Sequence, residues 1–162
     1  MKFHSTVPGT PLAGALEYVL AEHSFAFRPR DALQLSDRAG SDGRTSVLVG
    51  TVQIEVAVDS QSLLYAWGYC PRANWSRGAL VVPTFVDAEV HISTDSPLIA
   101  GVSLRATTAT EQMGILYDTD SGWICIGTTD CGSAEMVLIA TGVGIGLADS
   151  SLASIWLRPA FV

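Results

Sequence analysis

The chain has 162 residues and a mass of 17.1 kDa; 48% of its residues are hydrophobic and only 15% are charged. A globular chain usually carries about a quarter charged residues, and this length buries about 70% of the unfolded surface, so the composition excludes disorder and predicts a single domain with its own core. Nine basic against sixteen acidic side chains give a net charge of −7, the opposite of what a nucleic-acid binder carries.

The opening residues Met1–Gly9 contain no apolar run of the secretory type, which predicts a cytoplasmic protein. Cys70, Cys125 and Cys131 are an odd number and are read as reduced thiols. The longest weakly polar run, Met136–Ala148, has thirteen residues with three glycines, short of the twenty or so that a spanning helix needs, so no membrane partner is expected.

In chain order, the first predicted element is an amphipathic helix from Thr10 to about Ser24. Thr10 can cap it, Pro11 suits the first helical position, and Leu12, Leu16, Val19, Leu20 and His23 form one stripe. Ser36–Arg44 is polar and glycine-containing and is read as a loop. Residues 1–44 are electrically neutral; the remaining 118 residues carry four basic and eleven acidic groups, and hence the whole net charge.

After that loop the period changes to two. Thr51–Asp59 alternates Val52, Ile54, Val56 and Val58 with Gln53 and Glu55, and Leu63–Tyr69 returns after a serine-rich turn. Phe85–Ser93, Leu98–Ala106, Met113–Tyr117, Trp123–Thr128, Glu135–Thr141 and Leu152–Leu157 follow with turn signals between them. The expectation is a mainly β, single-domain antiparallel barrel or sandwich of about eight or nine strands with one N-terminal helix. Residues 1–44 would supply that helix and a loop, and residues 45–162 the β body.

Two segments carry candidate site residues. Tyr65, Trp67 and Tyr69 share one face of a strand and form a flat aromatic row, while Arg72, Trp75 and Arg77 follow on a loop of the kind that anchors interfaces. Asp87, Glu89 and His91 alternate along another strand, two carboxylates beside an imidazole, with Glu55 also outward.

Other patterns point away from chemistry. Asp118–Gly122 has the look of a calcium loop, but its glycine comes one position early and Thr129 stands where the closing Glu belongs, so a hairpin turn explains it. Cys125 and Cys131 lack the further ligands of a zinc site, and no nucleophile elbow occurs, so neither metal nor cofactor is expected. Met136–Gly146 resembles the strand and glycine turn that open the nicotinamide domain of ferredoxin reductase-like flavoenzymes. That family's turn feeds a helix and a parallel sheet, for which the sixteen residues after Gly146 leave no room. The glycines are therefore read as allowing a bend or a close approach.

Two functions fit these observations. The first is a small acidic binding protein without catalytic activity, engaging a basic macromolecular partner in the manner of an antitoxin or immunity protein. The alternative is a β-barrel whose aromatic-lined apolar pocket binds, cyclises or isomerises a hydrophobic metabolite, with Tyr hydroxyls, Cys70 or His91 carrying protons. An aromatic loop on a weakly charged surface is also compatible with a homodimer.

Overall fold

The computed structural model describes residues 1–106 and 113–162. Its strands are β1 (Lys2–Thr6), β2 (Gly14–Val19), β3 (Ser24–Pro29), β4 (Arg44–Val49), β5 (Val52–Ala57), β6 (Leu63–Tyr69), β7 (Trp75–Arg77) and β8 (Val86–Asp87). Then come β9 (Glu89–Ser93), β10 (Leu104–Arg105), β11 (Ile115–Tyr117), β12 (Ile124–Gly127), β13 (Glu135–Ala140), β14 (Val143–Ala148), β15 (Ser151–Leu157) and β16 (Ala160–Phe161). The one α-helix among the described residues, α1, spans Ala32–Ala39.

The expectation of a mainly β, largely antiparallel chain holds. The closed barrel of eight or nine strands does not: the described residues form sixteen strands in open sheets, with orders β10-β4-β5-β6-β3-β2-β16 and β7-β11-β12-β15-β14-β13-β8, plus the pair β1-β9. The short strands escaped periodicity because two or three residues are too few to show a period. All four outermost strands of the two large sheets are such fragments, and each pairs in parallel with its neighbour. A short edge offers few free backbone groups to another chain, which limits edge-to-edge association.

The helix also lies elsewhere than expected. Residues Thr10–Ser24 are not helical; Gly14–Val19 pairs antiparallel with Ser24–Pro29, placing Leu16 opposite Phe27 and Tyr18 opposite Phe25. These four side chains are all buried, whereas Leu20 of the supposed helical stripe is 41% exposed. Period-two burial of Leu16 and Tyr18 against two phenylalanines outweighs the competing helical spacing. Conversely, α1 runs through the first half of the stretch read as a loop. Asp31 caps it by accepting a hydrogen bond from the Leu33 amide at 2.8 Å, and Gly40 ends it at φ +72°, with its N–H donating to the Ser36 carbonyl.

The two large sheets share one hydrophobic core that runs from Phe3 to Leu157 and includes residues of β1 and β9. Trp156, Tyr18, Phe3, Phe25 and the isoleucines at 54, 124, 139, 145 and 155 are all fully buried. Each contributes on the order of 1.5–3 kcal/mol of transfer free energy.

Met136–Gly146 is an antiparallel hairpin with Gly142 at φ +73° in its turn, so it offers no strand-to-helix phosphate cradle. Within β14 a side chain at Gly144 would collide with the Phe85 ring. One at Gly146 would collide with the Ser154 hydroxyl, which accepts a hydrogen bond from Trp156 Nε1 at 3.0 Å. These glycines serve close packing. Gly144→Ala should therefore lower stability by about 1–3 kcal/mol through overpacking, read as a fall in the denaturant midpoint with an unchanged slope.

The Asp118–Gly122 loop is satisfied internally. The Asp118 carboxylate accepts hydrogen bonds from the amides of Leu80 (3.1 Å) and Asp120 (2.9 Å) and from the Ser121 hydroxyl (2.9 Å), and these hold its carboxyl below the usual range. A depressed native pKa contributes stability that is present above the ordinary carboxylate value and lost as pH falls through the lowered one. Asp118→Asn should thus melt earlier than the parent at neutral pH. That gap should close in acid, as thermal unfolding over a pH series will reveal.

Candidate functional site

The aromatic row lies on the outer face of its sheet and not inside a barrel. β6 faces its core with Ala66 and Gly68, while Tyr65 is half-buried and Trp67 and Tyr69 are 36% and 52% exposed. Gly68 adopts φ +111°, and a Cβ there would sit 3.0 Å from the Thr51 carbonyl, so the strand can turn between Trp67 and Tyr69 only with glycine at this position.

On one side β6 pairs with β5 over most of its length, with Glu55 opposite Tyr65 and Gln53 opposite Trp67. On the other side it pairs with β3 at only two positions, Ser24 with Tyr69 and Phe25 with Gly68. Beyond Phe25 the ladder stops, and the two strands border a groove of about 600 Å³. Phe27 closes part of the gap by stacking on Tyr65, ring centroids 5.1 Å apart.

A polar network fixes the groove wall. Glu55 Oε2 accepts hydrogen bonds from Trp67 Nε1 and from the Ser46 hydroxyl, each 2.9 Å. Arg44 donates to the Tyr65 hydroxyl at 2.7 Å and stands 3.8 Å from Glu55 Oε1. Burial, then the Glu55 charge, raises the Tyr65 pKa above the usual phenol value; Arg44 opposes both. Arg44→Met removes that opposition and should move the Tyr65 titration further into the alkaline range, as tyrosinate absorbance compared with a Tyr65→Phe control would register.

The remaining predicted residues divide among separate places. Trp75 opens β7 and is half-buried in an aromatic cluster, edge-on to Tyr18 at 4.8 Å and stacked with Phe25 at 6.2 Å. Its Nε1 donates to the Cys70 sulfur at 3.3 Å, so it anchors the core and is not an exposed contact. Arg72 lies over the Phe161 ring at 5.9 Å, and Arg77 is exposed on β7.

The expected Asp87–Glu89–His91 ladder breaks at the buried Ala88: Asp87 belongs to β8 beside β13, whereas Glu89 and His91 lie on β9 beside β1. His91 Nε2 is 3.4 Å from Glu89 Oε2, and its Nδ1 is 3.0 Å from the Ser60 carbonyl at the β5–β6 turn. His91 and Cys70 are both absent from the lining of the aromatic groove.

The surroundings of the thiols disfavour their ionised form. Burial raises all three pKa values; for Cys70 the Trp75 hydrogen bond partly opposes this, and for Cys125, with Cys131 adding to it, the value reaches about 12. Each shift disfavours the thiolate, the form that acts as nucleophile. Among the described residues no three His, Cys, Asp or Glu side chains are arranged to hold a metal ion, and no helix is long and apolar enough to cross a membrane.

The sequence pointed to the aromatic row and to Glu55, but not to Glu22, Phe27 or Arg44, which complete the groove and its wall. The available signal was the alternation Ser24-Phe25-Ala26-Phe27, a strand pattern overshadowed by the preceding helical stripe. Comparison with known proteins finds no matching family model, no matching curated protein and no matching solved structure.

Proposed function

We propose that this chain is a small acidic binding protein without catalytic activity, and that it engages a basic protein partner through the outer face of β3, β5 and β6. The observation that carries this reading is the exposed pair Trp67 and Tyr69 on a groove whose lining includes two carboxylates, Glu22 and Glu55. Large exposed aromatics on a rigid strand give binding surface at small entropic cost, and they are enriched among the residues that dominate interface energies. The excess of acidic over basic groups would steer a basic partner and make association salt-sensitive. The raised thiol pKa values and the separation of His91 from the groove support a role in binding over catalysis.

A groove of this size with aromatic walls also suits a hydrophobic metabolite, which keeps the second reading in play. Its interior-pocket form loses its basis because the row faces outward. Quenching of tryptophan emission by hydrophobic metabolites, abolished in Trp67→Ala, would favour it.

The first reading predicts that the protein, used as bait in native lysate, retains a partner of positive net charge at low salt and releases it at high salt. Trp67→Ala and Tyr69→Ala should each cut that capture by about tenfold or more. Equal recovery at both salts, or capture indifferent to both substitutions, removes it.

A further inference from the structure

We infer that the groove between β3 and β6 receives an arginine side chain of the partner, an assignment that rests on the binding reading above and specifies the group recognised. An aromatic face carries negative potential and attracts a cation, most strongly on Trp, and a guanidinium can stack on such a face while its edge N–H groups bond to a carboxylate. The groove supplies both elements. Tyr65, Trp67 and Tyr69 provide the faces, and Phe27 stacks against Tyr65 within the gap.

Its two carboxylates are not equivalent. Glu55 is already engaged by Trp67, Ser46 and Arg44, so it holds the indole by its N–H edge and has its charge matched. Glu22, exposed in the turn between β2 and β3, accepts only from the Ser24 hydroxyl at 3.2 Å. Among the described residues, Glu22 has no basic side chain within ion-pair distance, whereas Glu17 and Glu55 each pair with an arginine. The groove thus presents a negative charge without an ion-pair partner at one end and aromatic rings along its wall, and the Arg44 that borders it is engaged by Tyr65 and Glu55. A planar cation satisfies both features together. The compact, strongly hydrated ammonium of lysine matches the carboxylate but stacks less well, and an uncharged apolar ligand leaves Glu22 unmatched.

The test follows the Trp67 indole N–H signal by nuclear magnetic resonance, assigned by its disappearance in Trp67→Phe. The probes are capped glycine peptides bearing one central arginine, lysine or citrulline, the last being a neutral near-isostere of arginine. The expected result is a saturable shift with the arginine peptide, several-fold weaker binding of the lysine peptide, and no shift with citrulline. Glu22→Gln, a surface change whose amide spectrum should otherwise match the parent, should weaken the arginine peptide about fivefold.

Equal responses to arginine and citrulline, or to arginine and lysine, would overturn the assignment, as would indifference to Glu22→Gln. An unmoved Trp67 signal, in a protein whose lysate partner still depends on Trp67, sinks the arginine site and leaves the binding reading standing. A Trp67 signal that responds as expected, in a protein that retains no basic partner, sinks the binding reading instead.

Discussion

Two register pairs, Ser24 with Tyr69 and Phe25 with Gly68, join the β2–β3 hairpin to the middle of its sheet, and the candidate site depends on how little of the ladder they use. A full ladder would bring β3 alongside β6 and abolish the groove; no ladder would detach the hairpin. The short join is held by contacts on the core side. Tyr18 donates to the Cys70 carbonyl at 2.8 Å, the Cys70 amide donates to the His23 carbonyl at 2.7 Å, and Trp75 packs against both Tyr18 and Phe25. The aromatic cluster beneath the sheet therefore positions the aromatic row above it. Trp75 reaches its importance through this support and not through outward contact.

The same logic separates the roles of the acidic groups. Glu55 is committed within the wall, Asp118 is committed to its turn, and Glu17 pairs with Arg28 at 3.1 Å. What distinguishes Glu22 is its place: of the two acids that line the groove, it is the one without a basic side chain within ion-pair distance. Net charge alone would assign the acids to one diffuse acidic surface; the geometry separates Glu17, Glu55 and Asp118, which are engaged, from Glu22.

How far the fold could be read from the sequence follows from how local its causes are. Leu63–Tyr69 matches β6 residue for residue, and β5, β12, β13 and β15 fall within or next to their expected ranges, because burial of one face imposes alternation and burial of both gives an apolar run, each visible over four to seven consecutive residues. Phe85–Ser93 divides into β8 and β9 because consecutive residues pair with different neighbours, a distinction made only by tertiary partners. The β2–β3 hairpin was hidden by an accidental helical spacing at Leu12, Leu16, Val19 and Leu20, and α1 by its brevity and polar content. At the site, the row itself was legible on one strand, whereas Phe27 and Arg44 join it only through pairing partners remote in the chain.

The meeting of β3 and β6 also has a kinetic consequence. Hairpins such as β4–β5 and β14–β15 close over short loops, but Ser24 and Tyr69 are brought together from 45 residues apart. Loop-closure entropy delays such a contact until flanking hairpins have formed and collapsed. During synthesis and refolding, Trp67 and Tyr69 therefore stay without their neighbouring wall until late. The groove is thus a late product of folding, completed after most of the secondary structure is already in place.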